Sequence, residues 1–546
     1  MKKIYKFLFS AGITLLIAEH ANAQVPAMVK DIDAGATGST PGFLTVRGTN
    51  FYFQANDGVN GGELWKSDGT LAGTSLVKDI NPGSGTSNPN GITAMGGNVY
   101  FSGNDGATGQ ELWKSDGTTA GTSMVMDINA GAPGCNPFGF HVNGSTIFFS
   151  ANTATYGYEL WKSDGTAAGT MLVKDINPGT TGSIPTEHCV MGANIYFSCN
   201  DGTDGTEMWK SDGTLAGTTL VKDINVGAAN GSPGGMTLMG GNIYFRATDA
   251  TNGSELWKTD GTTAGTVLVK DINPGATGSA PSGFYVVGST IYFQANDGTN
   301  GIELWKTDGT TAGTVMVKDI NPGPGNSSPK AYAMLGGLVY FQATDATNGS
   351  ELWETDGTAG GTMLVKDINP GAGNSNPLGL ITDVTNIYFS ADDGVNGVEL
   401  WKTDGTAVGT IMLADINPGA SASTPANFGL IGTTLCFSAD NGTNGAELWT
   451  LTASALSVNN MAALDNEVIT YPNPAANSVF IKTNGTSSLK IEVYDLTGKL
   501  VLNKQVGNTA INEINTSDLN SGLYLLRISD AANDKEIKTK KLLIEK

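Results

Sequence analysis

The chain has few basic residues, few cysteines and few histidines. Its 546 residues include 30 Lys and Arg against 51 Asp and Glu, which leaves a net charge of −21. A chain so acidic is poorly suited to a nucleic-acid groove or to a basic patch on a membrane surface. Beyond the N-terminus no apolar run reaches the ~20 residues of a membrane-spanning helix. No capped segment with the 3.6-residue period of an amphipathic helix occurs either, so the sequence favours strands and turns.

Glycine and aromatic residues, by contrast, are plentiful. The chain contains 75 Gly and 20 Pro, and only 15% of its residues are charged. Gly shows no three-residue period, which argues against collagen, and the aromatic content argues against disorder. With 39% hydrophobic residues the chain can bury a core, and its length accommodates about two to four domains.

The N-terminus has the pattern of a secretory signal peptide over residues 1–23. Three lysines precede an apolar run from Phe7 to Ala18, and Ala21-Asn22-Ala23 provides a small-x-small cleavage site. The apolar run is too short to cross the ~30 Å hydrocarbon layer of a membrane. No Cys lies near the cleavage site to accept a lipid. The mature protein is therefore predicted to be exported and to lack a membrane span.

Export permits disulfides, but the four cysteines do not occupy one repeating position. They therefore cannot form a framework common to the repeat described next. We expect at most one or two bridges, with most of these residues serving as small core or loop side chains. The four are Cys135, Cys189, Cys199 and Cys436.

A 48-residue repeat dominates the sequence. All nine Trp are spaced 48 residues apart without an insertion, from Trp65 to Trp449. Glu recurs two residues before every Trp, Phe twelve before, Pro 24 before and Asp 34 before. Five positions filled identically in nine copies define a structural unit.

Each unit is predicted to hold four short strands. In the second unit these are residues 92–95, 98–102, 111–114 and 124–128, separated by Gly-rich turns. A four-stranded meander cannot bury both faces alone, so the units must stack, and this period is typical of propeller blades. The sequence predicts an all-β fold with a β-propeller over residues 24–451, with an open superhelix as the alternative.

The ends of the repeat predict how the propeller closes. The mature chain begins with a lone fourth-strand copy, residues 28–32, and the last unit stops after Trp449 without its own fourth strand. Counting this orphan gives nine sets of four strands. The N-terminal strand is therefore expected to complete the last blade and to pair the edge that would otherwise stay open. The prediction is a nine-bladed propeller, above the usual four to eight blades.

The repeat resembles known bacterial sequences. The Pro and Gly before Ile-Tyr-Phe, together with the third-strand aromatic, resemble the blade of TolB-type propellers. The string Glu-Leu-Trp-Lys-Ser/Thr-Asp-Gly-Thr-x-x-Gly-Thr is similar to a repeat of large secreted bacterial proteins. The resemblance covers residues 26–451 and implies a fold without indicating an activity.

The C-terminal segment departs from the repeat. A linker over residues 452–468 precedes strand-like segments in residues 469–546, which fit a small β-sandwich. The segment closely resembles the type A C-terminal sorting domain of type IX secretion. The matching residues are Tyr471, Pro472, Asn473 and Pro474, then Gly498 and Lys499, Gly522 and Tyr524, and the basic terminus. The resemblance implies recognition by the type IX secretion apparatus, passage through the outer membrane, and release or surface attachment. An ordinary accessory sandwich is the alternative.

Three recurring carboxylates fall on one rim of each predicted blade. In the first two units they are Asp57, Glu63, Asp79, Asp105, Glu111 and Asp127. Carboxylates with Asn and backbone carbonyls could form a Ca²⁺ site, since this ion favours six to eight oxygen ligands. The alternative is that Asp and Asn cap turns, while Glu pairs with Lys or accepts backbone N–H bonds. Thr153 and Asn441 replace the first Asp in two copies, which favours capping.

The recurring Trp invites a sugar-stacking interpretation, because aromatic faces suit sugar rings. Every Trp nevertheless follows an apolar residue in a third strand, where alternate faces pack against neighbouring blades. A structural core role is therefore expected for the nine Trp.

Catalysis requires a unique constellation, which nine near-copies do not supply. The mature chain has two His, His141 and His188, and His141 occupies the same repeat position as Cys189. A Cys/His nucleophile at this place lacks an evident orienting acid and oxyanion donors. No phosphate-binding loop or Cys-x-x-Cys pair occurs.

The sequence thus favours an exported, non-enzymatic propeller scaffold for binding or adhesion. Its expected partner is a glycan or a surface protein, bound on the face with the long Gly/Asn/Asp loops. The alternatives are a secreted hydrolase or lyase acting on extracellular polymer at the channel mouth, and a purely structural surface protein.

Overall fold

The computed structural model describes residues 25–452 and, further along, residues 469–471, 475, 478–482, 488–495, 499–506, 511–531, 536–544 and 546. The predicted signal peptide and all of the predicted linker except Thr452 lie outside these residues. The chain divides into two compact units, Met1–Thr452 and Ala453–Lys546. The described residues form strands and turns only, and they include no helix long and apolar enough to cross a membrane.

The first unit consists of nine four-stranded antiparallel sheets, a propeller-like arrangement. The first strands are β2 (Gly42–Arg47), β6 (Asn90–Met95), β10 (Phe138–Asn143), β14 (Thr186–Met191), β18 (Gly234–Met239), β22 (Ser282–Val287), β26 (Lys330–Leu335), β30 (Leu378–Thr382) and β34 (Ala426–Ile431). The second strands are β3 (Asn50–Asn56), β7 (Asn98–Asn104), β11 (Thr146–Thr153), β15 (Asn194–Asn200), β19 (Asn242–Asp249), β23 (Thr290–Asn296), β27 (Leu338–Asp345), β31 (Ile387–Asp392) and β35 (Thr434–Asp440).

The outer half of each sheet carries the Trp strand and a short fourth strand. The third strands are β4 (Gly62–Ser67), β8 (Gln110–Ser115), β12 (Gly157–Ser163), β16 (Thr206–Ser211), β20 (Gly253–Thr259), β24 (Ile302–Thr307), β28 (Gly349–Thr355), β32 (Val398–Thr403) and β36 (Ala446–Thr452). The fourth strands are β5 (Ser75–Lys78), β9 (Ser123–Met126), β13 (Met171–Lys174), β17 (Thr219–Lys222), β21 (Val267–Lys270), β25 (Val315–Lys318), β29 (Met363–Lys366), β33 (Ile411–Ala414) and, for the last sheet, β1 (Ala27–Lys30).

The strands predicted for the second repeat are present as β6 to β9, but their ends differ from the prediction. The fourth strand stops at Met126 and not at Ile128, because the backbone N–H of Ile128 donates to the Glu111 carboxylate (2.8 Å). The first strand starts earlier, at Asn90, and carries a register shift between Asn90 and Thr93. This shift is a bulge at Gly91, whose φ of +62° suits glycine.

The N-terminal strand pairs with the last Trp strand, as the ends of the repeat predicted. Strand β1 runs antiparallel to β36, with Ala27 opposite Thr450 and Met28 opposite Trp449. The first strand of each sheet also contacts the first strands of the sheets before and after it, and β2 contacts β34 in the same way. Every sheet of the unit is thus packed between two others.

The core lies between adjacent sheets. One cluster combines Tyr100 and Leu112 of the second sheet with Phe149 and Trp161 of the third. Another combines Val29 and Leu448 of the last sheet with Phe53 and Trp65 of the first. Burial of apolar area at about 25 cal/mol per Å² is the main favourable term at such contacts. All four cysteines are buried and free, so the expectation that most are core residues is confirmed.

The C-terminal unit is built from two antiparallel sheets. One has the order β37 (Ile469–Tyr471), β38 (Ser478–Lys482), β41 (Ile511–Asn515), and the other the order β40 (Leu500–Val506), β39 (Leu489–Tyr494), β42 (Gly522–Asp530), β43 (Glu536–Ile544). A single apolar cluster includes Val479 and Ile514 from the first sheet and Ile491 and Ile528 from the second. The two sheets share one core, which is the arrangement of a β-sandwich.

Candidate functional site

The Glu that precedes each Trp by two residues is buried in all nine sheets. The Glu63 carboxylate accepts hydrogen bonds from the backbone N–H of Ile80 (3.0 Å) and Ser87 (3.0 Å) and from the Ser87 hydroxyl (2.6 Å). Burial raises the pKa of Glu63, opposed by these hydrogen bonds. The donors belong to the segment that leads to the next sheet, so the carboxylate fastens that segment to its own sheet.

The recurring Asp residues have local partners. Asp57 follows the second strand and accepts the backbone N–H of Val59 (3.0 Å) and Asn60 (2.7 Å). Burial acts to raise its pKa, but these hydrogen bonds outweigh it and hold the pKa below the ordinary value. Asp105 caps the corresponding turn in the second sheet through the N–H of Ala107 (2.9 Å). Both are Asx-type caps.

The Asp that follows each fourth strand, unlike the turn-capping Asp57 and Asp105, has one carboxylate oxygen without a partner among the described residues. One oxygen of Asp79 accepts the N–H of Gly83 (3.2 Å), while its Oδ1 is buried without a partner among the described residues. Asp127 also has a buried, unpartnered Oδ1. No group of three or more His, Cys, Asp or Glu within the described parts of the chain is placed to hold a metal ion. The Glu carboxylates point into backbone cages, and calcium binding at this rim stays an untested alternative to capping.

The nine Trp are 5–9% exposed and belong to the clusters between sheets. In seven copies a Lys ammonium from the preceding fourth strand lies 5.2–5.9 Å from the ring centroid, as Lys78 does over Trp113 (5.8 Å). The same Lys78 donates to the carbonyl of Thr122 in the next sheet (2.8 Å). The core role predicted for Trp is confirmed, because these rings are not available to a ligand.

The two histidines meet in a cleft along the first strands. The rings of His141 and His188 lie 5.5 Å apart, in a cleft of about 520 Å³ that Glu187 and Phe284 also line. Burial lowers the pKa of His141, and burial with the nearby His141 lowers the pKa of His188 to about 3. Both imidazoles are therefore neutral at pH 7. Glu187 has φ +54° and accepts the N–H of Gly235 (2.8 Å).

Cys189, which shares the repeat position of His141, lies in a different environment. It is 9% exposed and belongs to an apolar cluster with Tyr196 and Met208. Burial raises the pKa of its thiol, so the thiolate needed for nucleophilic attack is disfavoured. The ring that lies beside His141 is that of His188, and the Cys/His nucleophile that the sequence disfavoured gains no support from this environment of Cys189.

A second cavity, an open groove of about 640 Å³, crosses the first three sheets. It lies where first strands begin and second strands end, on the side that carries the long loops. Aromatic and amide side chains line it, and we call it the aromatic–amide groove; its residues are Phe43, Gln54, Asn88, Asn90, Ser102, Gln110, Asn136, Pro137, Phe138 and Tyr158. The rings of Phe138 and Tyr158 pack edge to face at 5.5 Å. None of the ten lining residues is charged.

Sequence reasoning did not single out the residues of this groove. Phe43, Phe138 and Tyr158 fall in three separate repeats, and only the packing of three sheets brings them to one surface. A signal was nevertheless present, since each places an aromatic residue where the other eight copies have none. Comparing repeat positions for lone aromatics would have found them.

The predicted sorting residues are partly described. Tyr471 ends β37, Gly522 starts β42, and the Tyr524 hydroxyl donates to the carbonyl of Asn520 (3.0 Å). The backbone N–H of Lys499 donates to Asp495 (3.0 Å). The remaining residues of the motif, Pro472, Asn473, Pro474 and Gly498, lie outside the described residues.

Residues 469–545 match the family model of the secretion system C-terminal sorting domain. This domain is the signal of type IX secretion and directs export across the outer membrane to the cell surface or the extracellular space. The localisation predicted from the sequence is therefore confirmed. The match places the type IX secretion machinery among the partners of the chain.

The similar curated proteins are matched over short stretches. An endo-acting ulvan lyase of Formosa agariphila is 29% identical over 91 residues, which is 17% of each chain. An ulvan lyase of Nonlabens ulvanivorans is 28% identical over 74 residues, 14% of each chain. The chain thus matches less than a fifth of the length of these relatives.

Among solved structures, a puromycin-hydrolyzing peptidase of Mycobacterium tuberculosis is 11% identical with a TM-score of 0.35. The likeness covers 76% of this chain and 60% of that one. At this level it carries no argument about activity.

Proposed function

We propose that the protein is an exported, non-enzymatic scaffold, a nine-bladed propeller closed by its N-terminal strand, that binds an extracellular partner. The bound partner is a glycan or a surface protein, and the binding face is the one with the long loops. The C-terminal domain delivers this propeller to the outside of the cell.

Four contacts of the N-terminal segment support the closed ring. Strand β1 pairs with β36, and the buried Glu447 of the last sheet accepts the backbone N–H of Ile32 (3.1 Å). Lys30 extends from the N-terminal strand to the carbonyl of Thr74 in the first sheet (3.1 Å) and lies over Trp65. The same contacts join other neighbouring sheets, so the junction of last and first sheets repeats the ordinary one.

The binding function is supported by the location of the residues that differ between the nine repeats. The recurring Glu and Trp are occupied by contacts within and between sheets, and the turn Asp residues cap loops. The aromatic–amide groove, by contrast, gathers side chains found once among the nine copies and exposes them on the loop face. Loops held by a rigid scaffold are the usual place for recognition.

The histidine cleft favours a second candidate function, a secreted hydrolase or lyase acting on extracellular polymer. The neutral imidazole of His141 is the candidate proton acceptor, whereas His188, with its pKa lowered to about 3 by burial, is a weak base. The positive φ of Glu187 is of the kind found at functional sites. The two relatives matched in part are ulvan lyases by name, which agrees with a lyase as the second candidate.

A paired screen tests the proposal. The purified chain is applied to arrays of glycans and extracellular proteins, and the same preparation is assayed for cleavage of soluble polysaccharides. The scaffold predicts specific capture without new chain ends. Polymer cleavage that disappears in His141→Ala, with the fold intact by circular dichroism, would overturn it in favour of the enzyme.

A further inference from the structure

We propose that the aromatic–amide groove is a binding site for an uncharged oligosaccharide. This inference rests on the proposed scaffold function and assigns its ligand class. The groove volume of about 640 Å³ lies within the range of pockets that bind small ligands. Its lining combines aromatic rings, which stack on the apolar faces of sugars, with amides that match sugar hydroxyls.

The three aromatic residues are specific to this place in the ring. Phe43 stands where five copies have Gly, and no other copy has an aromatic residue there; the counterparts are Gly91, Gly139, Glu187, Gly235, Gly283, Ala331, Gly379 and Asn427. The counterparts of Phe138 are Gly42, Asn90, Thr186, Gly234, Ser282, Lys330, Leu378 and Ala426. Those of Tyr158 are Gly62, Gln110, Thr206, Ser254, Ile302, Ser350, Val398 and Ala446. Packing of the repeat therefore does not require an aromatic side chain at any of the three positions.

The backbone at Phe43 is held in a conformation unfavourable to a bulky residue. Its φ is +57°, and its side chain is 52% exposed. A left-handed φ is strained for a non-glycine residue, and an exposed ring recovers little of that cost by burial. The bulge of the repeat imposes this φ on other non-glycine residues too, as at Ala331 (+55°), so what is particular to Phe43 is the exposed ring that the bulge presents.

The polar lining fits hydroxyl groups. Each amide side chain carries both donors and an acceptor, as a hydroxyl does, and the groove has five of them. Gln110 uses Nε2 to hold the carbonyl of Asn88 (3.0 Å), and Asn90 uses Nδ2 on the same carbonyl (3.3 Å). Their side-chain oxygens have no protein partner within the described residues, which leaves acceptors for a ligand.

The uncharged lining sets the ligand class. A uronic acid, a sulfated sugar or a phosphate would be expected to find Arg or Lys, and none of the ten residues is basic. Aromatic grooves also bind proline-rich peptides. Such a peptide offers few backbone hydrogen-bonding groups, however, and would leave most of the five amide side chains of the groove without a partner. A neutral sugar chain uses both kinds of lining at once.

The test is an array of neutral, acidic and sulfated oligosaccharides together with proline-rich peptides, followed by calorimetric titration of the best binder. We expect a neutral oligosaccharide to bind the full chain. Phe43→Gly and Tyr158→Thr, each copying a residue found at that position in another repeat, should weaken affinity about 2- to 10-fold apiece. The melting temperature of Phe43→Gly should be unchanged or higher, since glycine relieves the strain.

Two matched controls change the same repeat positions elsewhere in the ring. Ala331 has nearly the same φ as Phe43 (+55°) at the same repeat position, so Ala331→Gly controls for the relief of strain. Ile302 stands at the repeat position of Tyr158, so Ile302→Thr controls for that change. Neither variant should alter affinity. Binding of acidic sugars or peptides alone, or neutral-sugar affinity insensitive to the groove variants, would overturn the site and leave the scaffold intact. If the parent chain captures no ligand but cleaves polymer, and His141→Ala loses this cleavage, the proposed scaffold function itself would be overturned.

Discussion

At the scale of single residues, the position before each repeat Pro has a left-handed backbone in all nine copies. The φ values lie between +45° and +51°; the residues are Thr40, Asn88, Asn136, Ile184, Ser232, Ala280, Ser328, Asn376 and Thr424. A turn causes this, because two successive N–H groups donate to one carbonyl, as Ser183 and Ile184 do to Tyr158 (2.8 and 3.0 Å). Asn adopts this region readily, whereas a β-branched residue pays ~1–2 kcal/mol.

Ile184→Asn should therefore stabilise the protein. Ile184 is 52% exposed, so little burial is lost, and the gain in unfolding free energy should be about 1 kcal/mol. Thermal unfolding of the variant against the parent measures it. Ser328→Ile, the opposite kind of change at the same repeat position, should lower stability; equal melting temperatures for all three proteins would contradict the account.

Two of the nine buried Glu have no hydroxyl in their cage: Glu111, where Cys135 stands at the Ser position, and Glu207, where Gly231 does. Gly231 stands where seven other copies place a Ser that donates to the carboxylate at 2.5–2.7 Å. Burial raises the pKa of Glu207 to about 7. Because the folded form then holds a proton that the unfolded chain releases near pH 4.5, this group lowers stability as the pH rises from about 4.5 to 7, and the loss levels off above that.

Gly231→Ser should reduce this loss. A Cβ at position 231 meets the Glu207 carboxylate, which must shift to admit it. Once it has shifted, the added hydroxyl donates to the charged carboxylate, which lowers the pKa of Glu207 and flattens the dependence of melting temperature on pH between 4.5 and 8. The comparison is a set of melting curves at several pH values. Gly360→Ser, at a glycine with open space around its Cα, is the control and should leave the pH dependence of the parent. A steeper dependence in Gly231→Ser would contradict the assignment.

At the scale of the structural element, the buried Glu joins a sheet to its outgoing segment. The Glu255 carboxylate accepts the N–H of Ile272 (3.0 Å) and Ser279 (2.8 Å) and the Ser279 hydroxyl (2.5 Å). Sequence reasoning placed this Glu on the rim and favoured capping and backbone acceptance over a calcium site. The strand that carries the Glu was predictable from its pattern. The hydrogen-bond partners of the Glu lie 17–24 residues further along the chain, and no local pattern specifies them.

Glu255→Gln should destabilise the protein by about 2 kcal/mol or more, because an amide NH₂ would face N–H donors and leave them unpaired. Chemical denaturation of the variant measures this. Asp260→Asn is a matched control, since the exposed Asp260 caps its turn through Oδ1, which Asn retains. A change for Glu255→Gln as small as for the control would show that the carboxylate does not fasten the segment.

At the scale of the whole molecule, the exact spacing of the repeat is what made the architecture predictable. Nine Trp at one interval and an orphan strand at the start predicted both the sheets and the pairing of β1 with β36. The aromatic–amide groove was not predicted, because it depends on three sheets meeting. In a repeat protein, a unique binding site is formed by the residues that differ between copies. How these residues lie relative to one another follows only from the packing of the sheets.

Removal of residues 25–30 should weaken the whole propeller. The deletion takes away β1, leaves β36 as an open edge and removes the Lys30 contact with the first sheet. We expect the melting temperature to fall by at least about 5 °C and the chain to self-associate through the exposed edge. Val25→Ala, at a residue 69% exposed, should have no such effect. A deletion variant as stable and monomeric as the parent would contradict the closure.

Hydrogen–deuterium exchange of residues 27–30 in the intact chain tests the closed ring most directly. If β1 completes the last sheet, the amides of this strand exchange as slowly as those of the other fourth strands, and they open together with residues 446–452. Exchange of residues 27–30 within seconds, while the other fourth strands stay protected, would mean that the N-terminal segment is unpaired and that the ring is open.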